Sequence, residues 1–328
     1  MASATGIGSL PGSDIDQALA LVIEAFPDFP HLPELPARGA GSDMVGRTAA
    51  ALVDLHVDLQ PAGWRLVARA GHDERRAAAR LEEDLDALIP FADLDRRFKV
   101  QLVGPWTLAA QLELPRGGKV LADRGALRDL AGSLAETGRE HLAAVRRRLP
   151  HASVVLQLDE PQLSGVIGGK VASESGLSRL PVPEHADVVA TLASVVTAAE
   201  APVVIHSCAA DVPVGVIADA GAMAVSLDLA VGRLDNDQVG ELVERGLQLW
   251  LGVVPSLGPG SPPTVHEILA PVRRLTGDIG VDAERLAKAV TLTPACGLAG
   301  ASPGWARMAM RLATQSARAL DENQVAGR

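Results

Sequence analysis

The sequence predicts a single (β/α)8 (TIM) barrel over residues 1–328. Three observations carry this. Short apolar or β-branched runs alternate with long amphipathic helical patterns along the whole chain. Several runs, such as Pro202-Val203-Val204-Ile205, are continuously apolar, as strands of a parallel sheet covered on both faces must be. Eight runs occur, which favours a closed barrel over an open doubly wound sheet, and no linker or composition break divides the chain.

In order, the strands are expected at Thr5–Leu10, Phe29–Leu35, Val100–Gly104, Ser153–Asp159, Pro202–Cys208, Ala224–Leu229, Leu249–Val254 and Val290–Pro294. The second carries two prolines, which cannot donate to a ladder. Helices are expected at Asp14–Ala25, Asp43–Leu59, Glu74–Leu88, Ala126–Arg148, Glu184–Ala199, Asn236–Arg245, Thr264–Leu275 and Trp305–Leu320. One further strand, Trp64–Ala68, exceeds the count and reads as a hairpin-like insertion. Gly258–Pro263 and Arg116-Gly117-Gly118-Lys119 read as active-site loops, and the tail after Asn323 as frayed.

Composition narrows the function. Hydrophobic residues make up 48% of the chain, aromatics 2%, and there is no Tyr, so Leu, Val, Ile and Ala must fill the core. The formal net charge is −10, which argues against a nucleic-acid partner. The compact basic run Arg146-Arg147-Arg148 falls at the end of a helical pattern, where cations suit the helix dipole. No apolar stretch is long enough for a membrane span, and the N-terminus lacks the pattern of a signal peptide, so a cytoplasmic location is expected. There the two cysteines, Cys208 and Cys296, are expected as thiols or metal ligands rather than a disulfide.

A barrel of this kind builds its active site at the C-terminal ends of its strands. The polar residues at those ends are Ser9, Glu34, Asp159, Glu160, His206, Cys208, Asp228, Ser256 and Cys296. In His206-Ser207-Cys208 the imidazole and thiol are two apart on one strand and so point to the same side. Cys296, after the eighth strand, brings the other cysteine to the same face. His nitrogen and Cys sulfur are ligands for Zn²⁺. Asp228 is placed to add an oxygen, or else to cap a helix or loop. Two thiolates and a carboxylate around Zn²⁺ leave a charge of about −1, which suits a centre that holds a third thiolate and keeps it nucleophilic. The ion lowers the thiol pKa from about 8.5. The chemistry implied is S-alkylation.

Five segments, Thr5-Gly6-Ile7-Gly8-Ser9-Leu10-Pro11, Gly104-Pro105-Trp106-Thr107, Leu158-Asp159-Glu160-Pro161, His206-Ser207-Cys208 and Cys296-Gly297-Leu298, resemble in order the C-terminal catalytic barrel of cobalamin-independent methionine synthase. That family is similar in fold to the uroporphyrinogen decarboxylases. The resemblance implies methyl transfer to homocysteine, giving methionine, at a zinc held by His206, Cys208 and Cys296. Asp228 stands where the family's remaining ligand is a Glu. It further implies that Ile7, Gly8 and Ser9 bind the homocysteine carboxylate and Asp159 its amine.

The chain departs from the family in three places. Ser42-Asp43-Met44-Val45-Gly46 puts Gly46 where a second amine-binding Glu is expected, and Glu34 is the candidate to take over. Gln111 stands where an aromatic platform for the folate pterin is expected, with Trp106 as the alternative platform. The family's N-terminal barrel, which helps bind polyglutamyl folate, has no counterpart here. The methyl donor is therefore open between methyltetrahydrofolate and a methyl-corrinoid protein. Other readings are a zinc alkyltransferase acting on a thiol such as coenzyme M and a non-catalytic zinc barrel. A decarboxylase has no need of the cysteines.

Overall fold

The computed structural model describes residues 2–173, 176–279 and 289–326. A seven-stranded parallel sheet forms most of a barrel wall. Its strands are β1 (Ser3–Ala4), β4 (Arg97–Val103), β5 (Ser153–Asp159), β6 (Val203–Ser207), β7 (Ala224–Asp228), β8 (Gln248–Val254) and β9 (Val290–Pro294), in the spatial order β1-β9-β8-β7-β6-β5-β4. The gap between β4 and β1 is closed by residues 29–35. Parallel bridges join His31 to Lys99 and Glu34 to Ser9, and Leu32 N–H donates to the Lys99 carbonyl at 2.8 Å while Leu10 N–H donates to the Glu34 carbonyl at 2.9 Å. The expected second strand thus occupies its slot through isolated contacts only. Pro30 and Pro33 supply no N–H, so a continuous ladder cannot form.

The helices follow the strands on the outside. They are α1 (Ile15–Ala25), α2 (Met44–Ala49), α3 (His72–Asp86), α4 (Pro105–Gln111), α5 (Arg124–Arg148), α6 (Leu163–Ile167), α7 (His185–Ala198), α8 (Val214–Asp219), α9 (Asn236–Glu244), α10 (Val265–Asp278) and α11 (Pro303–Ala326). Local chemistry sets their starts: Asp14, Asp43, Asp123 and Asp235 each accept a first-turn N–H, and Thr264 with Glu267 forms a capping box. α11 runs to Ala326, past the point where fraying is expected; the last two residues lie outside those described.

One expected helix is corrected. Only the start of Asp43–Leu59 is helical. Asp54 adopts a left-handed φ of 60°, the chain turns, and His56–Gln60 becomes β2, antiparallel to β3 (Gly63–Val67). The alternation around buried Val57 belongs to a strand, not a helix. The hairpin insertion itself is present, and its Trp64 packs against Gly46. The Arg116–Lys119 turn joins this hairpin, through bridges from Glu113 to Arg65 and Lys119.

Two cores result. The larger lies between the sheet and the helices. The smaller, Phe29, Val155, Val204, Ala224 and Trp250, plugs the barrel interior, with Phe29 edge-on to Trp250 at 5.3 Å and the Arg97 guanidinium over the Phe29 ring at 4.2 Å. Above this plug the interior turns polar: Lys99 and Gln101 of β4 and Gln157 and Asp159 of β5 are all buried. Their two-residue spacing puts them on one face of each strand. That polar layer is the floor of the site.

Candidate active site and metal centre

His206 ends β6 on the inner face of the barrel, and strand register places it beside Asp159 of β5 and Ser226 of β7. Its Nδ1 is 2.9 Å from the Ser226 hydroxyl, whereas its buried Nε2 has no hydrogen-bond partner among the described residues. Cys208 lies one turn of the pleat further on. Cys296 comes from the loop after β9, and its Sγ is 3.5 Å from that of Cys208. The ligand atoms of His206, Cys208 and Cys296 all lie within 4.8 Å of one another.

These residues fit a soft divalent cation. Two thiolates about 2.3 Å from a tetrahedral Zn²⁺ would stand about 3.8 Å apart, close to the separation seen. A buried ring nitrogen without a partner is costly unless something is bound to it. The other ring nitrogen is held by the Ser226 hydroxyl, which orients the ring so that Nε2 faces the two thiols, the usual outer support of a metal-bound imidazole. Within the pair, Cys296 donates to Cys208; this hydrogen bond and the adjacent His206 ring draw the Cys208 thiol down to about 4, while the same pairing together with burial pushes Cys296 up.

Asp228 is not part of this convergence. It closes β7 at the same mouth, but its Oδ1 accepts the Ala230 N–H at 2.8 Å, and burial raises its pKa. In the described structure it caps its own loop.

The residues expected to hold an amino acid surround the cluster. Ser9 packs against the backbone next to Cys296: a Cβ added at Gly297 would fall 2.1 Å from Ser9 Oγ, and the Ser9 carbonyl accepts the Leu298 N–H at 2.7 Å. Gly8 is needed for close approach, since a Cβ there would meet Gln101 Nε2 at 2.6 Å. The Ile7 carbonyl points inward and accepts from Lys99 Nζ at 2.7 Å, Gln157 Nε2 at 2.8 Å and Gln101 Nε2 at 3.1 Å. Asp159 is buried, accepts from Gln157 Nε2 at 2.7 Å, and is raised by burial against the pull of His206 and Lys99.

Glu34 also faces this interior. Burial raises its carboxyl to about 7, against the opposing effect of Arg47, whose Nε is 3.6 Å away. Arg47 is in turn held by Asp84 at 2.9 Å, and Asp84 by Arg38 at 2.5 Å. Gly46 has no room for a side chain, because a Cβ there would lie 2.8 Å from both Gly41 Cα and Trp64 Nε1. Neither of the two positions considered for the pterin offers an aromatic platform at the mouth. Gln111 is exposed at the end of α4, and Trp106 is fully buried with its indole N–H directed to the Val188 carbonyl at 3.3 Å.

Sequence reading missed four interior residues, Lys99, Gln101, Gln157 and Arg47. The signal existed for the first three: polar residues at every second position inside otherwise apolar strands. Glu160 also has a different role from its neighbours. It accepts from Trp106 N–H, Thr107 N–H and the Thr107 hydroxyl at 2.8, 2.8 and 2.7 Å, so it anchors the start of α4 instead of facing the cluster.

Fold and site together define a barrel with a His/Cys/Cys cluster at the end where such barrels do their chemistry. Residues 1–319 match the family described as cobalamin-independent synthase, catalytic domain. The chain belongs to that family, which is one of methionine synthase-like methyltransferases. A search of curated proteins gave no match. Among solved structures, a B12-independent methionine synthase from Shewanella sp. W3-18-1, in complex with selenomethionine, is similar with a TM-score of 0.67 at 13% identity, covering 98% of each chain. A methyltransferase from Methanosarcina mazei is similar with a TM-score of 0.58 at 15% identity, covering 98% of this chain and 95% of that one. Among the described residues no helix is long and apolar enough to cross a membrane.

Proposed function

We propose that the protein is a zinc-dependent S-methyltransferase that converts homocysteine to methionine. One observation carries the reading: a partnerless imidazole nitrogen and two thiols converge within 4.8 Å, directly beside the segments that family resemblance assigns to an amino-acid substrate. His206, Cys208 and Cys296 are the residues that hold the ion; Asp228 completes the set if its side chain releases Ala230. When bound, zinc supplies an acidified, still nucleophilic thiolate at neutral pH.

The chain's own residues do the rest. Ser226 keeps the His206 ring in orientation. Asp159 accepts the substrate ammonium, with Glu34 as a second carboxylate on the same side. The Ser9 hydroxyl and the backbone of Ile7 and Gly8 face the substrate carboxylate. The substrate thiol gives up its proton to solvent, its sulfur forms the new S–CH3 bond, and the bond from that methyl to the donor breaks with its electron pair left on the donor.

For the donor, a methyl-corrinoid protein or another small donor fits better than methyltetrahydrofolate, because Gln111 is no stacking surface and Trp106 is sealed in the core. A different thiol acceptor such as coenzyme M has one observation in its favour, the absence of any side chain at Gly46. A methyl-transfer assay with homocysteine and coenzyme M against folate and corrinoid donors, with metal quantified in the same preparation, tests all of this. A kcat/KM above about 10⁴ M⁻¹s⁻¹ with methyltetrahydrofolate would refute the donor assignment. Turnover of coenzyme M but not homocysteine would refute the acceptor.

A further inference from the structure

A single side chain joins the two halves of the amino-acid subsite. Gln157 is fully buried in the middle of β5. Its Nε2 donates both to the Ile7 carbonyl, at 2.8 Å, and to Asp159 Oδ1, at 2.7 Å. An amide nitrogen has two hydrogens, and here each is spent on one pole: one on the segment facing the substrate carboxylate, the other on the residue facing the substrate amine. Gln157 Oε1 has no partner among the described residues, so the amide is held by these two bonds.

The two poles are not equally dependent on it. The Ile7 carbonyl also accepts from Lys99 Nζ and Gln101 Nε2, and Gln101 ties the same segment to the Leu32 carbonyl at 3.1 Å. Without Gln157 the Ile7 carbonyl keeps two of its three donors, and the bonds from Glu34 N–H to Gly8 and from Leu298 N–H to Ser9 are untouched. For Asp159, the Gln157 amide is the one side-chain hydrogen bond found among the described residues. Released, its carboxylate is free to turn toward the Lys99 ammonium or the His206 ring, both of which attract it.

Resting on the homocysteine reading above, we infer that Gln157 is a positioning residue that sets the amine contact: it aims Asp159 Oδ2 at the substrate ammonium while leaving the carboxylate contact to Lys99 and Gln101. The effect of Gln157 on binding passes through Asp159.

The test is titration calorimetry of the full-length, zinc-loaded protein with homocysteine and with 4-mercaptobutanoate, which is homocysteine without its amine. In Gln157→Met, which keeps the volume and loses both donors, homocysteine binding weakens roughly 10- to 100-fold, the scale of a hydrogen bond to a charged group. Binding of 4-mercaptobutanoate changes by less than about twofold, and zinc content is unchanged. In an Asp159→Asn background the same change adds almost nothing, since residues acting through one another are non-additive. Equal loss for both ligands, full additivity with Asp159→Asn, or no loss at all overturns the inference and leaves the function standing. Failure of the wild-type protein to bind homocysteine overturns both. Should Gln157→Met not fold, a crystal structure of the wild-type homocysteine complex decides. The inference requires Gln157 Nε2 still on Asp159 Oδ1 with the ammonium on Oδ2, and is overturned by an Asp159 that has left Gln157.

Discussion

The barrel wall has two unlike arcs. From β4 to β9 the strands are paired in regular parallel register with one irregularity, between Gly252 and Val254. From residue 3 to residue 35 the wall is built from a two-residue strand, glycines and prolines joined by isolated bridges. The regular arc carries His206, with Cys208 just beyond it and Cys296 after β9. The irregular arc carries Ile7, Gly8, Ser9 and Glu34. Strand register fixes the His206 ring, and Cys208 and Cys296 follow directly after their strands. A site for an amino acid's charged ends needs backbone groups turned inward and close approach, and glycine with interrupted pairing provides that. The two arcs meet in Asp159, which sits in register beside His206 yet is bonded through Gln157 to Ile7.

Breaking the regular arc has the largest expected effect. Cys208→Ala or Cys296→Ala removes one of three converging ligands, and each variant is expected to lose most of its zinc after dialysis, measured by mass spectrometry of the metal, along with all methyl transfer. Full occupancy in both would mean that the cluster does not hold the ion. Next comes the residue where the arcs join. Asp159→Asn is expected to weaken homocysteine by about 2–5 kcal/mol, the cost of truncating one partner of a desolvated charge pair, while 4-mercaptobutanoate is nearly unaffected. Equal losses would remove Asp159 from the amine contact.

The contrast between arcs also explains what was legible in the sequence. The strands of the regular arc stand out as continuous apolar runs, and Ser153–Asp159 and Val290–Pro294 have the expected bounds. The His/Cys/Cys cluster was legible because His206 and Cys208 stand two apart at one strand end and Cys296 follows another strand at the same mouth. The irregular arc was readable only as a place. Pro30 and Pro33 show that pairing must be broken there, yet not which contacts replace it. Asp43–Leu59 was misread because a short helix, a left-handed Asp54 and a strand share a pattern that passes for one helix. Arg47 gave no local signal, since its burial depends on Asp84, thirty-seven residues away in sequence. Asp228 shows the opposite limit: its strand-end position is right for a ligand, but the nearby Ala230 N–H claims its carboxylate.

A third experiment probes the irregular arc without touching the cluster. A Cβ at Gly6 would fall 2.2 Å from Cε1 of His31, a ring that is fully buried and cannot retreat to solvent. Gly6→Ala is expected to destabilise the fold by about 1–3 kcal/mol through overpacking, read as a lower denaturant midpoint with an unchanged slope, while the folded fraction keeps its zinc. Zinc lost in proportion to the lost stability would show that the two arcs do not act separately.

The smallest effect concerns Glu34, the acid that the irregular arc contributes near the missing Gly46 side chain. Burial raises its carboxyl from the ordinary 4.5 to about 7, with Asp159 and Asp84 adding to the rise and Arg47 and Lys99 opposing it. The sign follows. Below pH 7 the folded protein keeps Glu34 protonated and uncharged, and a neutral acid attracts an ammonium weakly. As pH rises through 7 the carboxylate forms and the amine contact strengthens. Methionine carries the same amino-acid end and no ionising thiol, which removes the thiol from the profile; Lys99, drawn down to about 7 by burial, titrates over the same interval, so the comparison with Glu34→Gln assigns the change. Between pH 6 and 8 the ionised fraction of a group with a pKa near 7 goes from about one tenth to about nine tenths. Methionine affinity is therefore expected to increase several-fold over that interval, and the increase is expected to vanish in Glu34→Gln. Fluorescence titration of the buried tryptophans across the pH series measures it. A wild-type profile that is flat, or that falls, would place Glu34 in the Arg47–Asp84 charge network alone and outside the substrate's reach.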